Sequence, residues 1–141
     1  MGKVQVNSYI DTDVIIRLLT GDDQQKRKDA TALFERVAKG DLVLSAPDTA
    51  IADVVFVLSS PKLYDLPRSQ IRDLLAVLLH YPNFKVDNKQ VVIKALDFYA
   101  SANIDFGDAM LAVLTRESQN QLIYSYDHDF DKIPDIKRKE P

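Results

Sequence analysis

Short β-prone runs alternate with longer amphipathic stretches along the chain. That alternation limits the fold more than any other feature of the sequence. Val4, Val6 and Ile10 belong to the first run, Val4 to Ile10. Leu42 to Leu44, Phe84 to Val86 and Gln121 to Tyr124 form later ones, and Ile136 falls in a last edge strand. The stretches between them carry the 3.6-residue period of helices. Ala30, Leu33, Phe34 and Val37 mark one face of a helix from Gln24 to Lys39, which Gly40 ends. Ile71, Leu74, Leu75 and Leu78 mark another from Ser69 to Leu79. Strands that alternate with helices predict an α/β class. The crossover rule then gives a three-layer α/β/α arrangement around a mainly parallel central sheet.

Some segments need a choice. Val54-Val55-Phe56-Val57 is β-branched and aromatic, which suits a strand. Ile51, Val54, Val55 and Leu58 nevertheless keep the helical period, so the segment from Pro47 to Leu58 is read as a helix. Val14 to Leu19 is a short apolar helix, stopped by Gly21. Pro61 to Pro67 is a loop. Asp87 with Gln90 reads as a capping box before the helix that buries Val92, Ala95, Leu96 and Tyr99. Asp105 reads as the cap of a helix that runs through Glu117.

The 141 residues suit a single domain, 1–141, with one sizeable core; the chain is 46% hydrophobic and 28% charged. Net charge is −3, so no overall basic excess announces a nucleic-acid partner. Local basic clusters do occur, at Lys26-Arg27-Lys28 and Lys137-Arg138-Lys139. The chain has no cysteine, which excludes disulfides and thiolate metal sites and is compatible with a reducing, cytoplasmic setting. Neither a signal-peptide pattern nor a membrane-length apolar run is expected. Two histidines, His80 and His128, do not suggest a histidine-rich zinc site.

Four carboxylates stand in or beside apolar segments: Asp11, Asp53, Asp108 and Asp127. Asp11 follows the first strand, where open α/β sheets bind ligands. It can also be an N-cap, although Asp13 can fill that place equally well. Asp53 interrupts Ile51-Ala52-Asp53-Val54-Val55, and its plain reading is a narrow exposed stripe. Asp108 can close a capping box with Asp105, yet it shares a face with Leu111, Ala112 and Thr115, and Gly107 leaves room beside it. Asp127, Asp129 and Asp131 follow a strand in a loop, where acids are common. Ser125 is placed to orient the Asp127 carboxylate by donating to it. Taken together, the four acids are expected at one site that holds a divalent cation. Oxygen-only ligands suit Mg²⁺ or Mn²⁺. Excess apolar residues in Ile71–Leu79 and Val54–Leu58 predict a partner surface.

Ile10-Asp11-Thr12-Asp13, Ile104-Asp105-Phe106-Gly107-Asp108-Ala109, Ser125-Tyr126-Asp127-His128-Asp129-Phe130-Asp131 and terminal Glu140-Pro141 resemble PIN-domain ribonucleases, in particular the VapC-type toxins of toxin–antitoxin pairs. The resemblance covers nearly the whole chain. It implies a Mg²⁺- or Mn²⁺-dependent endoribonuclease that acts on RNA and leaves a 5′-phosphate and a 3′-hydroxyl. It also implies a homodimer inhibited by a small cognate antitoxin. Asp11, Asp108 and Asp127 match metal-binding acids of the family, with Asp105, Ser125 and Asp129 behind them. Asp53 stands where the family usually has glutamate, and Asp13 where asparagine is common. The shorter Asp53 leaves open a PIN-like binding module with little catalysis. Asp11-Thr12-Asp13-Val14 also resembles the opening motif of haloacid-dehalogenase-type phosphatases, which form an aspartyl-phosphate. That family's late lysine is missing from Gln119 to Tyr126.

Overall fold

The computed structural model describes residues 7–141, and the expected strand positions Val4 and Val6 lie outside the described residues. The chain divides into two compact units, Met1–Lys89 and Gln90–Pro141.

In the first unit, β1 (Asn7–Tyr9), β2 (Val43–Ala46) and β3 (Phe84–Val86) form one sheet with β2 in the middle. Both pairings are parallel; Tyr9 faces Ser45, and Ser45 faces Lys85. All four residues of β2 are buried, as befits a central parallel strand. Four helices complete the unit: α1 (Thr12–Leu19), α2 (Gln24–Ala38), α3 (Asp48–Ser59) and α4 (Arg68–Leu79). Phe34 of α2 meets Phe84 of β3 edge-to-face at 5.5 Å.

The ambiguous apolar segment is the helix α3. Ala50, Ile51, Val54, Val55 and Leu58 are buried along it, at helical spacing. A β-branched residue loses at most about 0.7 kcal/mol of helix propensity relative to alanine. Full burial of such a side chain is worth about 1.5–3 kcal/mol, so burial decides the conformation. The same burial narrows the expected partner surface. Ile71, Leu75, Val54 and Leu58 are internal core, and the large apolar side chains of α3 and α4 that remain exposed are Phe56 and Val77.

The second unit holds most of α5 (Lys89–Ser101), α6 (Phe106–Arg116), β4 (Leu122–Tyr124) and β5 (Lys137–Lys139). Tyr99 packs edge-to-face on Phe106, and the Arg116 guanidinium lies 4.8 Å from the Phe98 ring centre. β4 and β5 are parallel, with Ile123 opposite Arg138. The expected loop between them contains a 3-10 turn, His128–Lys132, anchored by buried Phe130. Every strand pairing is parallel, so the α/β class stands, and it is consistent with a three-layer α/β/α fold.

One helix thus carries both a core stripe and a candidate site residue, and the two separate by mutation. Ile51→Ala removes a fully buried side chain and should lower unfolding stability by about 2–5 kcal/mol. Asp53→Asn, on the exposed side, should change it by less than about 0.5 kcal/mol. Urea denaturation of the two variants checks both values.

Candidate active site

The first unit supplies Asp11 and Asp53. β1 ends beside β2, where the Ile10 N–H donates to Ser45 O at 3.0 Å. The chain then turns into α1, and Asp11 is the N-cap. Its Oδ1 accepts the Asp13 N–H at 3.1 Å. Asp13 therefore does not share the capping role, and α1 begins at Thr12 rather than Val14. The cap occupies one carboxylate oxygen and fixes the direction of the other. β2 leaves the sheet through Pro47 into α3, whose second turn carries Asp53. Asp11 and Asp53 line one open hollow of about 230 Å³, with Ile10, Thr12, Pro47, Thr49 and Ala50. Asp13 lines a different hollow, of about 370 Å³, with Arg17, Lys26 and Asp29. It is not an added charge in the hollow of Asp11.

The second unit supplies Asp105, Asp108, Asp127 and Asp129. Asp105 occupies the N-cap position of α6, but its side chain makes no capping bond. The expected capping box is therefore absent here; Asp105 O instead accepts the Ala109 N–H at 2.8 Å. Asp108 is half-buried in the first turn of α6. Burial raises its pKa, and the neighbouring carboxylates of Asp127, then Asp105 and Asp129, raise it further. Asp127 caps the 3-10 turn, its Oδ1 accepting the Asp129 N–H at 2.9 Å. Ser125 does not donate to that carboxylate as expected. Its Oγ accepts the Asp127 backbone N–H at 2.9 Å, so it positions the main chain instead. Asp129 is paired with Lys132 at 3.0 Å.

Arg138 is the residue that sequence reasoning missed. Read as part of a basic cluster, its side chain is only 12% exposed. It donates to Ser125 O at 3.0 Å and to Asp131 Oδ1 at 3.1 Å. These bonds hold the segment that carries Asp127 against β5. Arg138 and His128 together hold the Asp131 carboxyl below its usual range. The signal was available as strand alternation: position 138 faces buried Ile123, so a guanidinium there needs acceptors.

These donors suit a hard divalent cation. In each unit the candidate donors are carboxylate oxygens, and at Asp108 the neighbouring carboxylates repel one another. Among the described residues, no three His, Asp or Glu side chains form a ready-made cage. Mg²⁺ does not require one, because it commonly binds through one or two carboxylates, water and substrate phosphate.

The PIN domain family matches residues 8–136. The chain belongs to the PIN domain family. No curated protein matches it. PIN domains are nuclease-type folds, generally hydrolases, and their nucleases typically use divalent metals. The match runs through all four carboxylates of this PIN domain. Among the described residues, no helix is long and apolar enough to cross a membrane.

The strain at Asp108 gives a stability prediction. A carboxyl whose folded pKa is raised is favoured by folding when protonated, and this advantage is lost as pH rises through the folded value. Asp108→Asn should therefore raise the melting temperature of the metal-free protein at pH 7, by about 1–4 °C. The difference should shrink as pH falls below the ordinary value of 3.8, where both states are protonated. Calorimetry at several pH values in EDTA measures it.

Proposed function

We propose that this PIN domain is a Mg²⁺- or Mn²⁺-dependent endoribonuclease, the VapC-type toxin of a toxin–antitoxin pair, acting in the cytoplasm. The observation that carries this reading is the PIN domain match over residues 8–136, which includes all four carboxylates; burial and the neighbouring Asp127, Asp105 and Asp129 raise the pKa of one of them, Asp108. Asp11, Asp108 and Asp127 are the metal ligands in this proposal. When bound, the ion offsets their charge, polarises a phosphoryl oxygen and makes water more acidic. Asp53 accepts a hydrogen bond from the attacking water and aims it at phosphorus, in line with the leaving 3′-oxygen. Asp105 and Asp129 add negative potential around Asp108, and Ser125 with Arg138 fixes the main chain at Asp127. We further propose that residues 1–141 work as one catalytic domain.

A second reading has one observation in its favour. Asp53 is one methylene shorter than the glutamate that the family resemblance implies, which suits a binding module with little turnover. The same position supplies the discriminating variant.

A homodimer and a cognate antitoxin complete the proposal. A groove of about 290 Å³ in the first unit, lined by Leu18, Phe34, Leu74, Val77, Leu78 and Tyr81, supports an apolar protein partner there. Exposed Phe56 adds to the apolar surface of this unit.

Single-stranded RNA incubated with and without Mn²⁺ tests the function. The wild type should cleave it only with the ion and leave 5′-phosphate ends. Asp11→Asn should reduce cleavage by about a hundred-fold or more, while the melting profile shows a folded protein. Asp53→Glu should raise cleavage or change the preferred ion if reach limits the enzyme. Full metal-dependent cleavage by Asp11→Asn contradicts the assignment. Absence of cleavage by every variant favours the binding module.

A further inference from the structure

Register separates the two faces of the β4–β5 pair. Partner residues in a parallel pair project to the same side, and successive residues alternate. Ile123 and Arg138 are partners on the inner side: one is buried, and the other is held by Ser125 and Asp131. Leu122 with Lys137, and Tyr124 with Lys139, are therefore partners on the outer side. Tyr124 is 62% exposed, and both lysines are exposed. Tyr126, also exposed, follows in the bend after β4.

The charges on this face are uncompensated. Among the described residues, neither Lys137 nor Lys139 has an ion-pair partner. Three of the nearby acids are engaged elsewhere. Asp131 meets Arg138 and His128, Asp129 meets Lys132, and Glu140 lies 3.9 Å from Arg138. Two strand residues spaced by one lie about 6.6 Å apart, comparable with one nucleotide step. An exposed ring flanked by ammonium groups suits an unpaired base and its phosphates, because the ring stacks on a base face that a duplex hides.

The geometry points to the outer face of β4–β5 as a binding subsite for single-stranded RNA. Tyr124 stacks one base, while Lys137 and Lys139 pair with adjacent phosphates. Tyr124 lies three residues before Asp127, so a base seated there fixes the substrate relative to a candidate catalytic acid. The identity of the ligand rests on the ribonuclease reading; the face itself does not.

The test measures anisotropy of a fluorescein-labelled single-stranded RNA, and of the same sequence as a duplex, with the full chain in EDTA. Tyr124→Ala should weaken single-strand binding by about five- to hundred-fold and leave duplex binding unchanged. Tyr124→Phe, which keeps the ring, should bind like the wild type. Lys137→Ala with Lys139→Ala should reduce the slope of log affinity against log salt by about 1.4, two single-strand phosphates at about 0.7 each. With Mn²⁺, Tyr124→Ala should raise KM for a long single strand and leave kcat unchanged. This binding pattern without any cleavage supports the subsite while the nuclease reading fails. Normal cleavage with unchanged binding and KM in all variants overturns the subsite and leaves the nuclease reading intact. Displacement of the RNA by polyglutamate at equal charge marks a general cation patch, and also overturns it.

Discussion

A half-buried carboxylate beside other carboxylates is unfavourable, and Asp108 carries that constraint in this chain. Asp108 loses hydration in the first turn of α6 and also faces the charge of Asp127, Asp105 and Asp129. A fold selected for stability alone would place a neutral residue there. The surrounding structure resists relaxation. Ser125 holds the main chain of Asp127, and Arg138 holds Ser125. These bonds fix the main chain at Asp127, one of the carboxylates that raise the Asp108 pKa.

Asp11 shows how a structural role and a chemical one share a side chain. Capping α1 uses one oxygen and stiffens the carboxylate just past β1, a parallel strand whose own residues are largely exposed. The other oxygen is thereby preorganised for a ligand. Asp53 is placed differently: a helix with a fully buried apolar stripe presents it on the opposite side, toward the hollow that Asp11 lines. Core packing in α3 and capping in α1 are thus what fix these two groups.

Much of this was legible in the sequence because periodicity is a strong signal. The 3.6-residue spacing of Ile51, Val54, Val55 and Leu58 outweighed their β propensity, and α3 is a helix. The alternation of strands and helices gave the α/β class, and the family match agrees with the resemblance at the level of the PIN domain. Details that depend on one hydrogen bond were not legible. Asp11 and Asp13 are equivalent capping candidates by residue type, and only backbone geometry distinguishes them. Ser125 is both donor and acceptor, and its partner is the Asp127 N–H rather than the carboxylate. Arg138 looked like one of three surface cations until strand register turned it inward. Of the apolar residues in α4, Ile71, Leu75, Leu78 and Leu79 form one buried stripe, while Val77 stays exposed and Leu74 half-buried.

We propose that Asp11, Asp53, Asp108 and Asp127 serve one divalent ion and one reaction. Paramagnetic broadening of backbone amide NMR signals by substoichiometric Mn²⁺ tests it most directly. The account predicts that amides near all four acids broaden together along a single titration curve. It also predicts that Asp11→Asn weakens the broadening near Asp108 and Asp127 as well as near its own position. Independent titration curves for the Asp11 and Asp108 amides, or broadening near Asp108 that Asp11→Asn leaves untouched, would contradict it.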